Sequence, residues 1–303
     1  MSEPVGFLNV NKPVGMTSRR IVDEVTYLFR TGRVGHAGTL DPMASGVLVV
    51  AVGKATRLVP HVQDQPKTYL ATFELGATSN TDDLEGEITR EPGRELPLRS
   101  GIEACLPEYV GQIQQVPPLF SAVHVDGRRA YHLARKNRAF EIPPRTVEVF
   151  QIDLLKYEPP FLSLRIMCGS GTYIRSIGRD LGARLGCGGL MSGLVREQIG
   201  PMKLDAAVDL KQLTRENAAA ALLPMTVGVA RLPQHVVSEA DLIELQCGRQ
   251  LTTPPDFAPK TFPVALLAPD GSLAALAEWD PVSHRLHPRQ VFLEHCEGIG
   301  AAK

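Results

Sequence analysis

Residues 34–46 read VGHAGTLDPMASG, and residues 47–52, which follow at once, read VLVVAV. A continuous apolar run rich in valine is typical of a buried strand. The glycine-rich loop before it presents one carboxylate, Asp41, and Pro42 then fixes the local backbone and removes a hydrogen-bond donor. A loop held against a rigid strand in this way can position a reactive side chain, although a lone Asp-Pro pair is also typical of an ordinary turn.

Strand and helix signals alternate on both sides of this segment and predict an α+β main domain. The predicted strands are Gly6–Val10, Val47–Val52, Lys67–Leu75, Leu119–Val125, Val147–Leu155, Phe161–Cys168 and Leu190–Ile199. The predicted helices are one capped by Thr17 or Ser18 with apolar positions from Ile21 to Phe29, then Arg99–Leu106, Arg129–Asn137, Tyr173–Leu185 and a short helical region at Asp209–Leu223. Asp180 and Arg184 stand at i and i+4 on one of them, a spacing that allows an ion pair. Residues 76–97 are rich in Gly, Pro and acids, which predicts a loop region.

A second unit begins near Arg231. It contains Val236-Val237, then Leu242–Leu251 with Gly248, then two apolar strands around Asp270-Gly271 and a last segment from His287 to Leu293. This pattern predicts a small, mostly β appendage to the main domain.

The composition is that of an ordinary globular protein of 303 residues, 44% hydrophobic and 21% charged. No apolar run approaches the roughly 20 residues that span a bilayer, and the first residues lack a basic segment followed by an apolar one. These features predict a cytoplasmic protein without a membrane partner. The five cysteines form no CxxC pair and the eight histidines no HExxH motif, which predicts reduced thiols and no metal site.

Two phosphate-binding motifs are incomplete. Gly53-Lys54 resembles the end of a P-loop, but Leu48 stands five residues before Gly53 and Ala55 replaces the Ser or Thr of that motif. Gly169-Ser170-Gly171 begins like GxGxxG, but the last position is Ile174. The sequence therefore gives little support to nucleotide binding.

The net charge of −1 argues against a nucleic-acid binder, but the distribution of charge favours one. Residues 124–145 carry six basic and two acidic groups, a net of +4, whereas residues 74–110 carry nine acids and three arginines, a net of −6. Such segregation suits a protein with one face toward phosphates. A helix with an ordinary charged face would give the same pattern.

Further motifs follow one another in order between residues 6 and 200. They are NKPVGMTS at 11–18, KTY at 67–69, GATSNTDDLEG at 76–86, QVPP at 115–118 with SAV at 121–123, CGSGTYIRS at 168–176 and LVR at 194–196. Together with the loop around Asp41, this series closely resembles the TruB family, the tRNA pseudouridine-55 synthases. The resemblance implies a pseudouridine-synthase fold with a mixed, largely antiparallel sheet flanked by helices in residues 1–228, an RNA-gripping insert at about 115–145, and a small β-rich PUA-like domain in residues 229–303.

The same resemblance implies an isomerase that converts the T-loop uridine of tRNA, position 55, to pseudouridine without a cofactor. Asp41 would be the catalytic carboxylate, acting as a nucleophile or as an electrostatic and acid–base partner. Arg175 would compensate the charge of Asp41 and is able to hold the carboxylate with two parallel bonds. The flipped base would stack on Tyr69, with Tyr173 and Leu194 lining the same pocket.

Other residues are given roles by the resemblance alone. His36 would pack against the disrupted RNA loop, and Arg128 and Arg129, with Arg135, would contact phosphates from the insert. Two roles stay open: Lys12 supports the Asp41 loop or contacts the substrate, and Lys67 is structural or contacts phosphate.

The expected partner is the T-arm of tRNA, bound by a monomer that works without a guide RNA. The insert at 115–145 and the lack of extended basic tails favour such a stand-alone enzyme over the related branch that acts in guide-RNA particles. The alternative is a tRNA-folding chaperone in which binding matters more than catalysis. Residues 231–303 carry nine acids and six basic residues, so the PUA-like region is not strongly attractive to RNA.

Overall fold

A nine-stranded mixed sheet and a five-stranded sheet account for most of the regular structure. The computed structural model describes residues 3–90, 93–121, 123–125, 128–129, 133, 140–254 and 257–293. The strands are β1 (Gly6–Lys12), β2 (Val34–His36), β3 (Ser45–Val52), β4 (Lys67–Leu75), β5 (Ala77–Ser79), β6 (Ile88–Arg90), β7 (Gly111–Gln115), β8 (His124–Val125), β9 (Arg128–Arg129), β10 (Arg145–Glu158), β11 (Phe161–Cys168), β12 (Gly189–Ile199), β13 (Met202–Lys203), β14 (Gln234–Val236), β15 (Leu251–Thr252), β16 (Val264–Leu267), β17 (Leu273–Asp280) and β18 (Arg285–Val291). The helices are α1 (Ser18–Phe29), α2 (Val59–Gln63), α3 (Arg99–Cys105), α4 (Ile174–Arg184) and α5 (Glu239–Gln246).

The large sheet has the order β1-β3-β12-β4-β11-β10-β7, with β2 beside β3 and β13 beside β12. Its strand pairs are antiparallel except β3 with β12, which is parallel. The sheet is thus mixed and largely antiparallel, as predicted.

Strand β3 is buried on both faces, which explains its uninterrupted apolar sequence. Val47, Val49 and Ala51 pack into one hydrophobic cluster with Phe7. The alternate residues Leu48, Val50 and Val52 pack into another cluster, against Ile21 and Val25 of α1. The strand that follows the Asp41 loop is therefore held rigidly from both sides.

Helix α1 begins as predicted, with Thr17 as its N-cap. The Thr17 hydroxyl accepts a hydrogen bond from the backbone N–H of Arg20, which satisfies one of the free donors of the first turn. Helix α4 packs Ile174, Ile177 and Leu181 into a further cluster, which contains Phe73 of β4. The predicted Asp180–Arg184 pair is wrong: Arg184 pairs with Glu108 instead, and Asp180 pairs with its neighbour Arg179.

The C-terminal sheet has the order β14-β16-β17-β18-β15, with the predicted turn at Asp270-Gly271 between β16 and β17. This small β-rich unit is PUA-like, as predicted. It does not stand apart from the main domain, because Ala265, Leu276 and Phe292 pack into the same cluster as Phe7 and Val62.

Three other local predictions need correction. Of the described residues in the predicted strand Leu119–Val125, only His124–Val125 form a strand, β8, and the Phe120 carbonyl accepts a bond from the Arg175 side chain. The predicted helical region Asp209–Leu223 forms isolated 3-10 turns. Residues 76–97 include the paired strands β5 and β6.

Part of the insert lies outside the described residues. Arg129 ends β9, which pairs with β8, so no helix starts there. The remainder of the predicted helix Arg129–Asn137, apart from Leu133, is outside the description, and so is Arg135. Within the described ranges, no helix has the length and apolar character needed to cross a lipid bilayer.

Candidate active site

The loop that carries Asp41 is tied to the N-terminal motif on both sides of the carboxylate. The Ser18 hydroxyl donates to the Leu40 carbonyl (3.1 Å) and accepts from the Leu40 N–H (2.9 Å). The Gly15 N–H donates to the Pro42 carbonyl at 2.8 Å. Ser18 and Gly15 therefore fix the backbone one residue before and one residue after Asp41.

Lys12 completes this tether from a fully buried position. Its ammonium donates to the Met16 carbonyl at 2.7 Å and to the Pro13 carbonyl at 3.0 Å, and it lies 3.5 Å from the Pro42 carbonyl. Burial lowers the pKa of Lys12 to about 8, an effect that the nearby Asp41 carboxylate opposes. Of the two roles left open, the contacts favour support of the Asp41 loop.

Arg196 holds the same loop from the opposite side. Its side chain is the largest fully buried one among the described residues, with 1% of the residue exposed. The guanidinium donates to the carbonyls of Val47 (2.7 Å) and Gly38 (3.0 Å) and lies close to that of Thr39. These carbonyls belong to the two ends of the loop, so one side chain from β12 pins both.

The carboxylate of Asp41 faces Arg175. The Nε atom of Arg175 lies 3.2 Å from Oδ2 of Asp41, and its NH1 atom lies 3.2 Å from Oδ2 of Asp83. NH1 and NH2 also donate to the carbonyls of Thr81 and Phe120, each at 3.1 Å. The expectation of two parallel bonds to Asp41 is thus not met, because the guanidinium is divided among two carboxylates and two backbone carbonyls.

Asp41 is the most exposed member of this network. Its side chain is 35% exposed, against 9% for Arg175 and 2% for Asp83. Burial raises the pKa of the Asp41 carboxyl above its ordinary value, the Arg175 guanidinium opposes this, and the Asp83 carboxylate adds to it. The site therefore offers a reachable carboxylate whose ionised form depends on its cationic neighbours.

Tyr69 and Leu194 lie on adjacent strands beside the loop. Tyr69 of β4 pairs in register with Arg196 of β12, and Leu194 pairs with Ala71. Both predicted side chains pack into the cluster that contains Leu40, just before Asp41. Burial raises the pKa of the Tyr69 phenol, so that the ring is neutral, and the Arg196 guanidinium interacts with its hydroxyl.

Tyr173 is placed at the start of α4, two residues before Arg175. Its backbone is pinned by the buried side chain of Gln115, which accepts from the Tyr173 N–H (2.8 Å) and donates to the Tyr173 carbonyl (3.1 Å). Its side chain packs against Val123 and Ile142 of the insert. Tyr173 thus joins the insert to the site.

The remaining predicted residues lie on β2, β4 and the insert. His36 is on β2, opposite Val50, and burial lowers the pKa of its imidazole, which is therefore neutral. Arg128 and Arg129 form β9, whose backbone pairs with Val125 and His124 of β8. The side chains of the two arginines lie outside the described part of the structure. Lys67 is buried and its ammonium donates to the carbonyls of Gln63 and Gln65, which favours the structural role.

Sequence reasoning gave no role to Asp83, Arg196 or Gln115. Each lies within a motif quoted above, but the contact that gives it a role joins distant segments. An unpaired buried charge is costly, so a charged residue within an apolar strand, such as Arg196 in β12, is the signal that could have been followed. In the described part of the chain, no three His, Cys, Asp or Glu side chains converge as metal ligands do.

Comparison with known proteins gives the class first. A family model described as "TruB family pseudouridylate synthase (N terminal domain)" matches residues 26–174. A chain in the crystal structure of a Cbf5-Nop10-Gar1 complex aligns with a TM-score of 0.74 at 26% identity, over 95% of this chain and 85% of that one. The fold is that of the pseudouridine synthases.

Curated sequences then narrow the assignment. The tRNA pseudouridine synthase B of Syntrophomonas wolfei is 42% identical over 280 residues, covering 90% of this chain and 93% of that protein. The protein of the same description from a Nostoc species is 46% identical over 229 residues, covering 74% and 78%. The chain belongs to the TruB family.

Proposed function

We propose that this protein converts the T-loop uridine of tRNA, position 55, to pseudouridine, with Asp41 as the catalytic carboxylate and without a guide RNA. The observation that carries the proposal is the position of Asp41, reachable from solvent and 3.2 Å from the buried Arg175. The curated relatives described as tRNA pseudouridine synthase B support tRNA as the substrate.

The reaction needs one carboxylate and no redox or group-transfer cofactor. The N1–C1′ bond of the uridine is broken, the uracil rotates, and a C5–C1′ bond forms; C5 loses its proton and N1 gains one, so that product and substrate have the same atoms. An ionised Asp41 either adds to C1′ or acts on the sugar as an electrostatic and acid–base partner. In both routes, Arg175 keeps the carboxylate charged and in one orientation.

The base must leave its stack to reach Asp41. Tyr69 supplies a flat, neutral ring beside the Asp41 loop, and Leu194 supplies an apolar neighbour on the next strand. Stacking on an aromatic ring contributes about 1–3 kcal/mol per base. We assign Tyr69 to stacking, and Leu194 and Tyr173 to the walls of the same pocket.

Other parts of the proposal concern binding. Residues 1–228 form the catalytic unit, with Arg128 and Arg129 of the insert contacting phosphates and His36 filling space in the RNA loop. Residues 229–303 form the PUA-like unit. The protein acts on the T-arm as a monomer.

Release of tritium from tRNA that carries C5-tritiated uridine tests the function. We expect release by the wild type and none by Asp41→Asn, with tRNA binding by both. No release by the wild type on folded, unmodified tRNA would favour the chaperone alternative. Release by both proteins would remove Asp41 from its role, and loss of binding in Asp41→Asn would mean that Asp41 is structural.

The pH profile tests the role of Arg175. Since the Arg175 guanidinium lowers the pKa of Asp41, Arg175→Met should move the acid limb of the rate profile to higher pH. An unchanged limb in a folded variant would contradict the assignment of that limb to the Asp41–Arg175 pair.

A further inference from the structure

A second, basic pocket lies at the far end of β3 from Asp41, where the main domain meets the C-terminal sheet. Its volume is about 420 Å³, and it is lined by Arg33, Gly53, Lys54, Thr56, Arg57, Val291 and Leu293. Strand β3 has eight residues, which at about 3.3 Å per residue places the pocket roughly 26 Å from the Asp41 loop. It is therefore separate from the candidate active site.

Local backbone geometry brings together the three basic residues of the pocket, Arg33, Lys54 and Arg57. Lys54 and Arg57 are three residues apart in the 3-10 turn Gly53–Leu58, and side chains at i and i+3 of a 3-10 turn eclipse one another. Arg33 joins them from the residue just before β2, because its carbonyl accepts a 2.8 Å bond from the Gly53 N–H. Gly53 has a φ of +63° and no room for a Cβ, which would lie 2.5 Å from the Pro4 carbonyl oxygen.

The contacts that the structure describes for Lys54 and Arg57 are with uncharged groups. The Lys54 ammonium donates to the carbonyls of Phe292 (3.4 Å) and Leu293 (3.2 Å), which are neutral acceptors. Arg57 donates to the Val291 carbonyl at 2.9 Å, and its guanidinium lies 4.8 Å from the centre of the Phe292 ring. These contacts orient the two side chains and leave their positive charges in place.

A carboxylate approaches the third cation at longer range. Glu3 lies 3.7 Å from the Arg33 guanidinium, and both side chains are largely exposed. An exposed ion pair at that distance contributes little. Within the part of the chain that the structure describes, Glu3 is the one carboxylate paired with these three cations, so the described lining is net positive and still has N–H donors to offer.

We propose that this pocket binds a phosphate group of the RNA backbone, as a second anchor remote from the target base. Guanidinium groups match the geometry of phosphate oxygens, and a lysine adds a point charge. The proposal rests on the proposed function in one respect, that the ligand is RNA. It accounts for the basic segment Gly53–Arg57, which has the charge of a phosphate-binding motif without the P-loop spacing.

The test is the salt dependence of binding to an unmodified tRNA transcript, with the full chain. Each phosphate contact contributes about 0.9 to the slope of log K against log salt. Arg33→Gln should lower that slope by about 0.9, which corresponds to roughly eightfold weaker binding at 0.1 M salt. Arg33 is the best position, because its side chain pairs with Glu3, whereas Lys54 and Arg57 donate to carbonyls of the C-terminal unit and help to hold the junction.

Two further variants sharpen the result. Arg99→Gln is the matched control, because Arg99 is an exposed arginine paired with a carboxylate, Glu103, on α3; its slope should equal that of the wild type. Glu3→Gln should have the opposite effect to Arg33→Gln and tighten binding, since it removes the carboxylate beside the pocket. Equal slopes for Arg33→Gln, Arg99→Gln and the wild type would overturn the proposal.

The remaining outcomes separate the pocket from the catalytic function. If the wild type forms no pseudouridine but Arg33→Gln still lowers the slope, the proposed function fails and the pocket stands. Thermal melting of the protein in inorganic phosphate, compared with melting in chloride of equal ionic strength, tests whether the pocket binds free phosphate. Stabilisation of the wild type but not of Arg33→Gln, together with equal tRNA slopes, would assign the pocket to free phosphate and overturn its assignment to RNA.

Discussion

Replacing Gly46 with alanine should force β3 away from β12 and displace the Asp41 loop. Gly46 has a φ of +99°, and a Cβ there would lie 2.3 Å from the Arg196 carbonyl oxygen and 2.9 Å from the Arg196 nitrogen. Both atoms are backbone, so they cannot rotate away. To reach 3.4 Å, where ordinary van der Waals contact begins, the strands must separate by about 1.1 Å.

This displacement has consequences for stability and for rate. An alanine held at such a φ costs about 1–3 kcal/mol, and the free energy of unfolding should fall by at least that amount. Asp41 lies five residues upstream, and the Arg196 side chain binds the carbonyls at both ends of the loop. A misplacement of about 1 Å can slow an enzyme by about 10²-fold, so we expect a loss of that size.

Single-turnover tritium release at saturating tRNA measures the rate, and denaturant titration measures the stability. Gly35→Ala on β2 is the control, because nothing lies within 4 Å of its Cβ position and its φ is not positive. It should change the free energy of unfolding by less than about 1 kcal/mol. If Gly46→Ala reacts as fast as Gly35→Ala, the close approach of β3 and β12 does not position Asp41, and the reasoning is refuted.

Three further predictions concern charge and hydrogen bonding. The reaction rate should rise with pH through a midpoint above the ordinary carboxyl value of 3.8, because burial raises the pKa of Asp41; a flat single-turnover profile would contradict this. Burial lowers the pKa of Lys67 from 10.5 to about 8. Between these two values the unfolded chain binds more protons than the folded protein, so the free energy of unfolding of the wild type should increase relative to that of Lys67→Met as pH rises from 8 to 10.5. Denaturant titrations measure this difference, and a difference that does not change with pH would contradict the prediction. Gln115→Leu leaves the backbone N–H of Tyr173 without its acceptor, while the Tyr173 carbonyl keeps its bond from the Ile177 N–H, and should lower the free energy of unfolding by about 1–3 kcal/mol. Gln114→Leu, which removes one exposed bond, should cost less than about 1 kcal/mol, and equal losses in the two variants would refute the role of Gln115.

Elements with strong periodicity could be predicted closely. Lys67–Leu75 and Phe161–Cys168 have the same bounds in the structure as in the prediction. The structure of Asp209–Leu223, where a helix was predicted, could not be foreseen from its own sequence, because it depends on hydrogen bonds to β1. The backbone groups of Phe7 and Leu223 exchange hydrogen bonds of 2.9 and 2.7 Å, and Val208 bonds to Asn9, so the two ends of this segment are held against the edge of the sheet and only short 3-10 turns form between them.

The residues of the candidate site also include some that the sequence could predict and some that it could not. Motif resemblance predicted Asp41 and Arg175, which the structure brings together. It could not separate the roles of Asp82 and Asp83, which are adjacent and chemically identical. Asp83 faces Arg175, whereas Asp82 faces Arg179 on the next turn of α4. The direction in which each side chain points depends on a loop whose contacts come from another part of the chain.

The reach of Arg196 also sets the order in which the site can be assembled during protein synthesis. Its guanidinium donates hydrogen bonds to carbonyls that lie 149 and 158 residues earlier in the chain. A nascent chain folds from its N-terminus as it emerges, and one that ends before residue 175 carries Asp41 with neither arginine beside it. While the first 174 residues leave the ribosome, the Asp41 carboxylate lacks its ion pair with Arg175. The enzyme becomes competent only once β12 has been released and inserted between β3 and β4.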